Sequence, residues 1–441
     1  MAEQVAKNAR IASTVLKTLS NEERIIALKA VHDGLLKAKL DIFEANVKDM
    51  QAAKENNLSS ALIGRLDLSK GDKFDVMLQG ILDVADLEDP VGKLTLARQL
   101  DQGLNLYRVT APVGVLLVIF EARPEVIANI SALAIKSGNA AILKCGKECF
   151  HTFTIMSKIV SESLAATVVP KDAVQMIGSR EDVAALLDQD KYIDLVIPRG
   201  SRELVRSIKE NTKIPVLGHA DGICSIYVDK DADLAMASRI LADAKTNYPS
   251  GCNAAETLLI HESLKDQVPQ IVKGLIDAGV VLHASESVAE VLAASLIPAA
   301  QVVPAIEGDF DKEFLSFDIA VGFTKDVNSA IQHINTHGSK HTDVIITDNK
   351  DAADKFLKSV DTAGVYWNCS SRFADGFRYG FGTEVGISTN KIHSRGPVGL
   401  EGLMIYQYQL RGEGNIAGDY LGAGGKKAFI HKDIELSSVQ L

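Results

Sequence analysis

Val113-Gly114-Val115-Leu116-Leu117-Val118-Ile119-Phe120 is an apolar run of strand length, and together with the residues after it this run decides the fold. A short apolar run without alternation is expected of a strand covered on both faces. Pro124 then opens a helix whose Val126, Ile130, Leu133 and Ala134 share one stripe, and Gly138 closes it. Proline near the start and glycine just past the end is the usual helical asymmetry. Ala140 to Lys144 is the next strand. The alternation continues through a helix over 151–165, a strand from Val174 to Ile177, a helix over 181–188 and a strand from Ile193 to Ile197. Pro198-Arg199-Gly200-Ser201 then leads into another helix. Strands and helices alternating over short connections predict an α/β fold with a parallel, doubly wound sheet.

On the N-terminal side, residues 1–56 read as amphipathic helices, with Ile25, Ile26, Leu28, Val31 and Leu35 at helical spacing. Residues 92–110 alternate around Asp101-Gln102-Gly103 and suit a hairpin, either peripheral or used in oligomerisation. A second α/β unit begins near Asp221, with a helix over 232–246, a strand over 256–261 and a helix over 263–277. Alternation runs on to about residue 360, and then come a glycine-rich stretch and a polar tail.

Composition narrows the function. The 441 residues carry 47 basic and 57 acidic side chains, a net charge of −10, without a basic block. Binding nucleic acid by neutralising phosphates is therefore disfavoured. Roughly 150 residues per domain gives two to three domains. The five cysteines, an odd number in a large chain, suit a reducing compartment better than a disulfide framework. Residues 1–7 lack an apolar segment of the secretory kind, and the longest apolar run, Ala111 to Phe120, falls short of the ~20 residues that span a bilayer. A cytoplasmic protein without membrane contact is the expectation.

Cys252 sits in Asn247-Tyr248-Pro249-Ser250-Gly251-Cys252-Asn253-Ala254-Ala255-Glu256-Thr257, between a helix and a strand. Such a thiol is either a packed side chain or a nucleophile toward acyl groups. Gly251 would let backbone approach a substrate, and the amides of Cys252 and Asn253 could face a developing oxyanion. Lys144 ends a strand where an acidic residue would bind the ribose 2′-hydroxyl of NAD, so a lysine favours the 2′-phosphate of NADP. Gly146 and Lys147 come directly after, and Gly200-Ser201 opens a helix, a place for a pyrophosphate. No G-x-G-x-x-G run stands between a strand and a helix, and no Walker A sequence occurs. His333, His337 and His341 are spaced by four, but Gly338-Ser339 should end the helix before His341, so no metal site is expected. Around the only tryptophan, Trp367, the loop Ser370-Ser371-Arg372 suits recognition of a carboxylate, or equally a surface salt bridge.

Three long runs carry a resemblance. They are Cys252 to Leu259, His333 to Asp343, and Arg372-Phe373-Ala374-Asp375-Gly376-Phe377 onward through Glu384-Val385-Gly386-Ile387-Ser388-Thr389 to Arg395-Gly396-Pro397-Val398-Gly399-Leu400-Glu401-Gly402-Leu403. In these the chain resembles the gamma-glutamyl phosphate reductases of the aldehyde dehydrogenase superfamily, over nearly its whole length. The resemblance implies two doubly wound α/β domains. Residues 1–220 would bind the dinucleotide, with 92–111 a protruding hairpin. Residues 221–395 would carry the catalytic cysteine, and 396–441 would return as an oligomerisation segment. It further implies NADPH-dependent reduction of L-glutamyl 5-phosphate to the 5-semialdehyde in proline synthesis, through a thioester on Cys252.

By that resemblance Lys144 and Lys147 lie near the adenosine ribose phosphate, Ser201 near the pyrophosphate, Gly218 beside the nicotinamide and Glu313 on its ribose, with Gly146, Gly200 and Leu217 also expected to bind the cofactor. Ser370, Ser371 and Arg372 would hold the α-carboxylate. Hydrolytic relatives carry a Glu-Leu-Gly-Gly run whose glutamate activates water; here the stretch is Val216-Leu217-Gly218-His219, and valine takes no proton. Their oxyanion asparagine is replaced within Phe120-Glu121-Ala122-Arg123-Pro124, so backbone amides would serve, and Arg123 either joins them or binds the leaving phosphate. A homo-oligomer, dimer or tetramer, is implied. The lability of an acyl phosphate makes association with a glutamate 5-kinase plausible. The competing readings are a hydrolytic semialdehyde dehydrogenase, which needs the missing glutamate, and a scaffold, which would not need Cys252.

Overall fold

The computed structural model describes residues 2–58, 60–178, 180–219, 221–420 and 424–439. The run at 113–120 forms a strand, Val115–Phe120, with every side chain buried. It lies between Ala140–Lys144 and Leu195–Arg199 in a parallel four-stranded sheet completed by Val174–Ile177. The helix after it, Val126–Lys136, is buried on nearly all sides, a wider apolar surface than the stripe predicts. Gly138 closes it at φ +73°, a conformation that suits a residue without Cβ.

The outer helices Ala2–Leu16, Asn21–Lys37 and Lys39–Glu55 pack on this unit. The second helix starts with a capping box at Ser20 and Glu23. Leu28, Val31 and Leu35 face inward as their spacing demands, but Ile26 is exposed: the stripe is narrower than its run of isoleucines suggests.

The second unit is a parallel seven-stranded sheet. In order across it lie Val302–Pro304, Val281–Ala284, Asp318–Thr324, Ala255–His261, Cys224–Val228, Thr342–Ile346 and Gly364–Trp367. Its core includes Ile226, Leu258, Ile260, Leu282, Ile319, Val321 and Val344, side chains that the near-continuous apolar runs of a two-sided parallel sheet supply.

The hairpin Leu94–Asp101 and Leu104–Pro112 turns at Gly103 and belongs to a third sheet, in which the late strand Met404–Arg411 pairs antiparallel along Leu104–Pro112 and Lys432–Asp433 pairs with the other arm. Val385, Val398, Leu400 and Leu403 join the first unit's core. Among the described residues, no helix is long and apolar enough to cross a membrane.

Candidate active site

The order of the first sheet sets Lys144, Phe120 and Arg199 side by side at the C-terminal ends of adjacent strands, the edge where open parallel sheets bind ligands. Lys144 is half-buried and Lys147 exposed, and neither has a carboxylate partner among the described residues. Gly146 between them is buried, and a Cβ there would meet the Glu148 carboxylate. Ser201 caps the helix Arg202–Glu210, its Oγ accepting from the Leu204 amide at 3.4 Å. The Ser201 amide donates to Glu121 Oε2 at 3.0 Å, so an internal carboxylate already occupies this helix N-terminus. A Cβ on Gly200 would collide with that carboxylate. Two lysines without a carboxylate partner beside a helix N-terminus fit the phosphates of a dinucleotide, with Glu121 holding the Ser201 amide until a phosphate displaces it. Leu217 is buried with its amide on the Val196 carbonyl at 2.9 Å, and Gly218 packs beside Pro198.

Cys252 is half-buried in the turn between the helix Leu234–Thr246 and the strand Ala255–His261. Its carbonyl accepts from Cys224 Sγ at 3.4 Å, and Gly222 packs so close to its backbone that no side chain would fit there. Among the described residues, the amides of Cys252 and Asn253 donate to no protein acceptor, which leaves both available to an oxyanion. The Asn253 side chain points elsewhere. Its Nδ2 donates to the Ala374 carbonyl at 2.9 Å and, more weakly, to that of Arg372 at 3.4 Å.

The loop at 370 is tied to the same turn. Ser371 is fully buried and its hydroxyl donates to the Asn253 carbonyl at 2.6 Å, while Ser370 Oγ accepts from the Arg372 amide at 3.3 Å. The Ser371 hydroxyl is thus spent on holding the loop, the Ser370 oxygen helps shape it, and Arg372 is the charged group it presents. The Arg372 guanidinium lies over the Tyr248 ring at 5.6 Å. It also fills the space beside Gly251, where a Cβ would come within 2.7 Å of Nη1. The glycine before the cysteine therefore makes room for an arginine.

Two histidines complete the surroundings of the thiol. His219, Cys252 and His341 each offer a ligand-capable atom, and these atoms all lie within 4.8 Å of one another. His219 Nδ1 faces the Ile387 carbonyl at 2.8 Å, so it carries the hydrogen and leaves Nε2 as a lone-pair acceptor. Burial keeps this imidazole below its ordinary pKa and hence neutral. Val216 offers no proton acceptor; the same stretch supplies one three residues on, in His219. His341 is 1% exposed; its Nδ1 faces Thr342 Oγ1 at 3.0 Å, and its Nε2 is buried without a partner. The helix Val327–His337 ends at Gly338 as expected, which separates His341 from His333 and His337.

Arginines reach the thiol. Cys252 lies in the electrostatic reach of Arg199 and Arg372, and Arg123 in that of Arg199. Burial first, and then Arg123, hold the Arg199 guanidinium below its ordinary value, while Glu384 opposes them. Burial raises the carboxyl of Glu313, and His219 is the strongest influence opposing that rise. Behind the site, Lys245 and Glu256 form an ion pair at 2.6 Å with both side chains fully buried.

Residues 1–288 match the sequence profile of the aldehyde dehydrogenase family. The gamma-glutamyl phosphate reductase of Saccharomyces cerevisiae is 60% identical over 452 aligned positions, spanning 100% of this chain and 99% of that protein.

The chain belongs to the gamma-glutamyl phosphate reductases of the aldehyde dehydrogenase family.

A probable gamma-glutamyl phosphate reductase of Schizosaccharomyces pombe is 53% identical over 99% of this chain and 98% of its own length. The crystal structure of gamma-glutamyl phosphate reductase from Thermotoga maritima superposes with a TM-score of 0.89 at 36% identity, covering 94% of this chain and 99% of that one. Within this family's fold, the site residues that sequence reasoning missed are Arg199, His219 and His341. Arg199 and His219 stood inside quoted runs without a role; the end of a parallel strand was the available signal for the first. His341 stood in the run His333 to Asp343 and was weighed there only as a metal ligand beside His333 and His337; its distance from Cys252 is set by the pairing of distant strands.

Proposed function

We propose that the chain reduces L-glutamyl 5-phosphate to L-glutamate 5-semialdehyde and phosphate, with NADPH as hydride donor, in proline biosynthesis. The observation that carries this reading is a half-buried thiol with a neutral imidazole beside it and arginines around it. A substrate with a phosphate at one end and an α-carboxylate at the other matches that charge. Arg372 takes the carboxylate, held by Ser370 and Ser371, and Arg123 with Arg199 takes the phosphate.

His219 Nε2 accepts the Cys252 proton, and the thiolate attacks C5 of the acyl phosphate. The carbon–oxygen bond to phosphate breaks, the proton passes from His219 to the leaving phosphate, and a thioester remains on Cys252. When bound, the nicotinamide supplies the hydride that reduces this thioester. The amides of Cys252 and Asn253 stabilise the resulting oxyanion. Collapse breaks the carbon–sulfur bond and releases the aldehyde, and the thiolate recovers a proton from solvent through His219. Lys144 and Lys147 favour NADP over NAD, with Gly146, Gly200, Ser201, Leu217, Gly218 and Glu313 forming the rest of the cofactor groove. Residues 1–220 act as the cofactor domain, 221–395 as the catalytic domain and 396–441 as the return segment. The exposed Ile405, Tyr408 and Leu410 on the strand Met404–Arg411 suit a homo-oligomer, dimer or tetramer. The reading places the enzyme in the cytoplasm, supplied by a glutamate 5-kinase.

One observation favours a second reading. A base within reach of a thioester is what hydrolysis requires, and His219 is such a base. Running the reaction backward separates the two. Glutamate semialdehyde and NADP⁺ should yield NADPH only when inorganic phosphate is present, and Cys252→Ala should abolish it. Phosphate-independent NADPH formation would mean that water takes the acyl group and would refute the reductase.

A further inference from the structure

The trio around the nucleophile has a chemistry that the reaction does not use. We propose that His219, Cys252 and His341 form a site for one thiophilic divalent cation of the zinc class, and that its occupation withdraws the nucleophile from catalysis. The ligand atoms already lie within 4.8 Å of one another. A tetrahedral zinc with bonds of about 2.0–2.3 Å needs them roughly 3.5 Å apart, a closure within the reach of side-chain rotation. Two imidazoles and one thiolate select zinc, cadmium or cobalt over magnesium and calcium, which prefer oxygen.

Two further features fit a ligand role. His219 Nδ1 is bonded to the Ile387 carbonyl, which leaves Nε2 as the nitrogen free to bind a metal, the outer-shell arrangement that fixes a metal-binding tautomer. His341 is 1% exposed, its Nδ1 occupied by Thr342 and in weaker contact with Cys224 Sγ at 3.8 Å, and its Nε2 has no partner. An orphaned buried nitrogen beside a thiol is costly unless something uses it. The positive charges of Arg199 and Arg372 oppose a cation here, while Glu313 and Glu384 act on His219 with the opposite sign. Cys252 is only half-buried, so the fourth corner of the tetrahedron is open to water. The inhibition rests on Cys252 being the nucleophile; the metal site does not.

The test uses the full chain, stripped with a chelator and kept reduced without added thiol. Cobalt(II) is titrated while the thiolate-to-cobalt charge-transfer band is monitored, and zinc(II) is used to displace it. The expected result is one equivalent per chain, with the band lost in Cys252→Ser, kept in Cys224→Ser, and affinity at least tenfold weaker in His341→Ala and in His219→Ala. Far-ultraviolet dichroism certifies each variant as folded, and His341→Gln replaces His341→Ala if the latter unfolds. No band, a band that depends on Cys224 instead of Cys252, or affinities within twofold of the parent in both histidine variants would overturn the site. A band with the expected dependence in a protein lacking phosphate-dependent activity would support the metal site and overturn the reductase reading alone.

Discussion

Replacing Lys245 with methionine should leave the Glu256 carboxylate without its partner in a place that water does not reach. The pair is 2.6 Å apart and neither side chain has any exposure. Removing one member of such a pair costs about 3–5 kcal/mol, because the remaining charge stays buried. The size of the loss must depend on pH. Burial already raises the Glu256 carboxyl, and the lysine is the strongest influence opposing that rise. In Lys245→Met the folded carboxyl therefore moves further above its unfolded value of about 4.3. A group raised in the folded state contributes stability that is present below the unfolded pKa and lost as pH rises through the folded one. The carboxyl already sits at about 7 in the parent, so the variant's deficit should shrink between pH 8 and about 7, by up to about 1.4 kcal/mol, and then stay level to pH 5.5. The double variant Lys245→Met/Glu256→Gln carries no buried charge and should lose only about 1–2 kcal/mol, well below the sum of its singles. Urea unfolding can be monitored through Trp367, the only tryptophan, which lies in the same seven-stranded sheet as Glu256. Equal deficits for Lys245→Met at both pH values, or singles that add in the double, would refute an ionised buried pair.

Gly251→Ala places a Cβ against Arg372 Nη1 and the Tyr248 ring, so the guanidinium must move while little else does; the KM for the amino-acid substrate should rise several-fold with an unchanged melting temperature. Arg372→Ala should raise the same KM by one to two orders of magnitude, about 1.4 kcal/mol for each factor of ten, and an unchanged KM would sink its role as the carboxylate anchor. Glu121→Gln removes the carboxylate from the Ser201 amide and should tighten NADP⁺ about two- to fivefold, the worth of a charge at a helix N-terminus; weaker binding by calorimetry would instead make Glu121 a cofactor ligand. His333 is held at about 4 by burial and then by His337, against the opposing pull of Asp311. Its unfolded form takes up a proton first as pH falls, so stability should drop between pH 6.5 and 4, by about 2–3 kcal/mol after allowing for partial exposure, and His333→Phe should flatten that slope in acid melts.

Much of the fold could be read from periodicity because the decisive runs are short, apolar and punctuated. Ala140–Lys144 and Val174–Ile177 lie where their sequences put them, and Gly338 ends its helix as glycine commonly does. Ile26 misled because spacing defines a stripe but not its width. In the site, Cys252 was legible from its turn and its long motif, and Lys144 from its place at a strand end. His219 and His341 were not, since they meet only because the strand Cys224–Val228 lies between Ala255–His261 and Thr342–Ile346. Ser371 stood out as a hydroxyl beside an arginine, and the structure shows it buried with its hydroxyl donating to the Asn253 carbonyl, a tie that only tertiary packing reveals. Likewise Glu121 was met only as part of a run that lacks an asparagine, and nothing local marks it as the acceptor of the Ser201 amide.

The pairing of Leu104–Pro112 with Met404–Arg411 has a consequence for synthesis on the ribosome. Eight residue pairs join these strands, and Leu403 also receives the Val113 amide and the Asn139 side chain, so an early part of the chain waits for a late one. At about 5–20 residues per second, the interval between translating the two strands is roughly 15–60 s. Throughout it neither edge of the nascent hairpin has its partner, the condition under which strands recruit neighbouring chains. Domain-by-domain folding during translation is therefore closed to the N-terminal unit. A nascent chain halted before residue 404 should need a chaperone to stay in solution, and one extended far enough to free residues 404–433 from the ribosome should not.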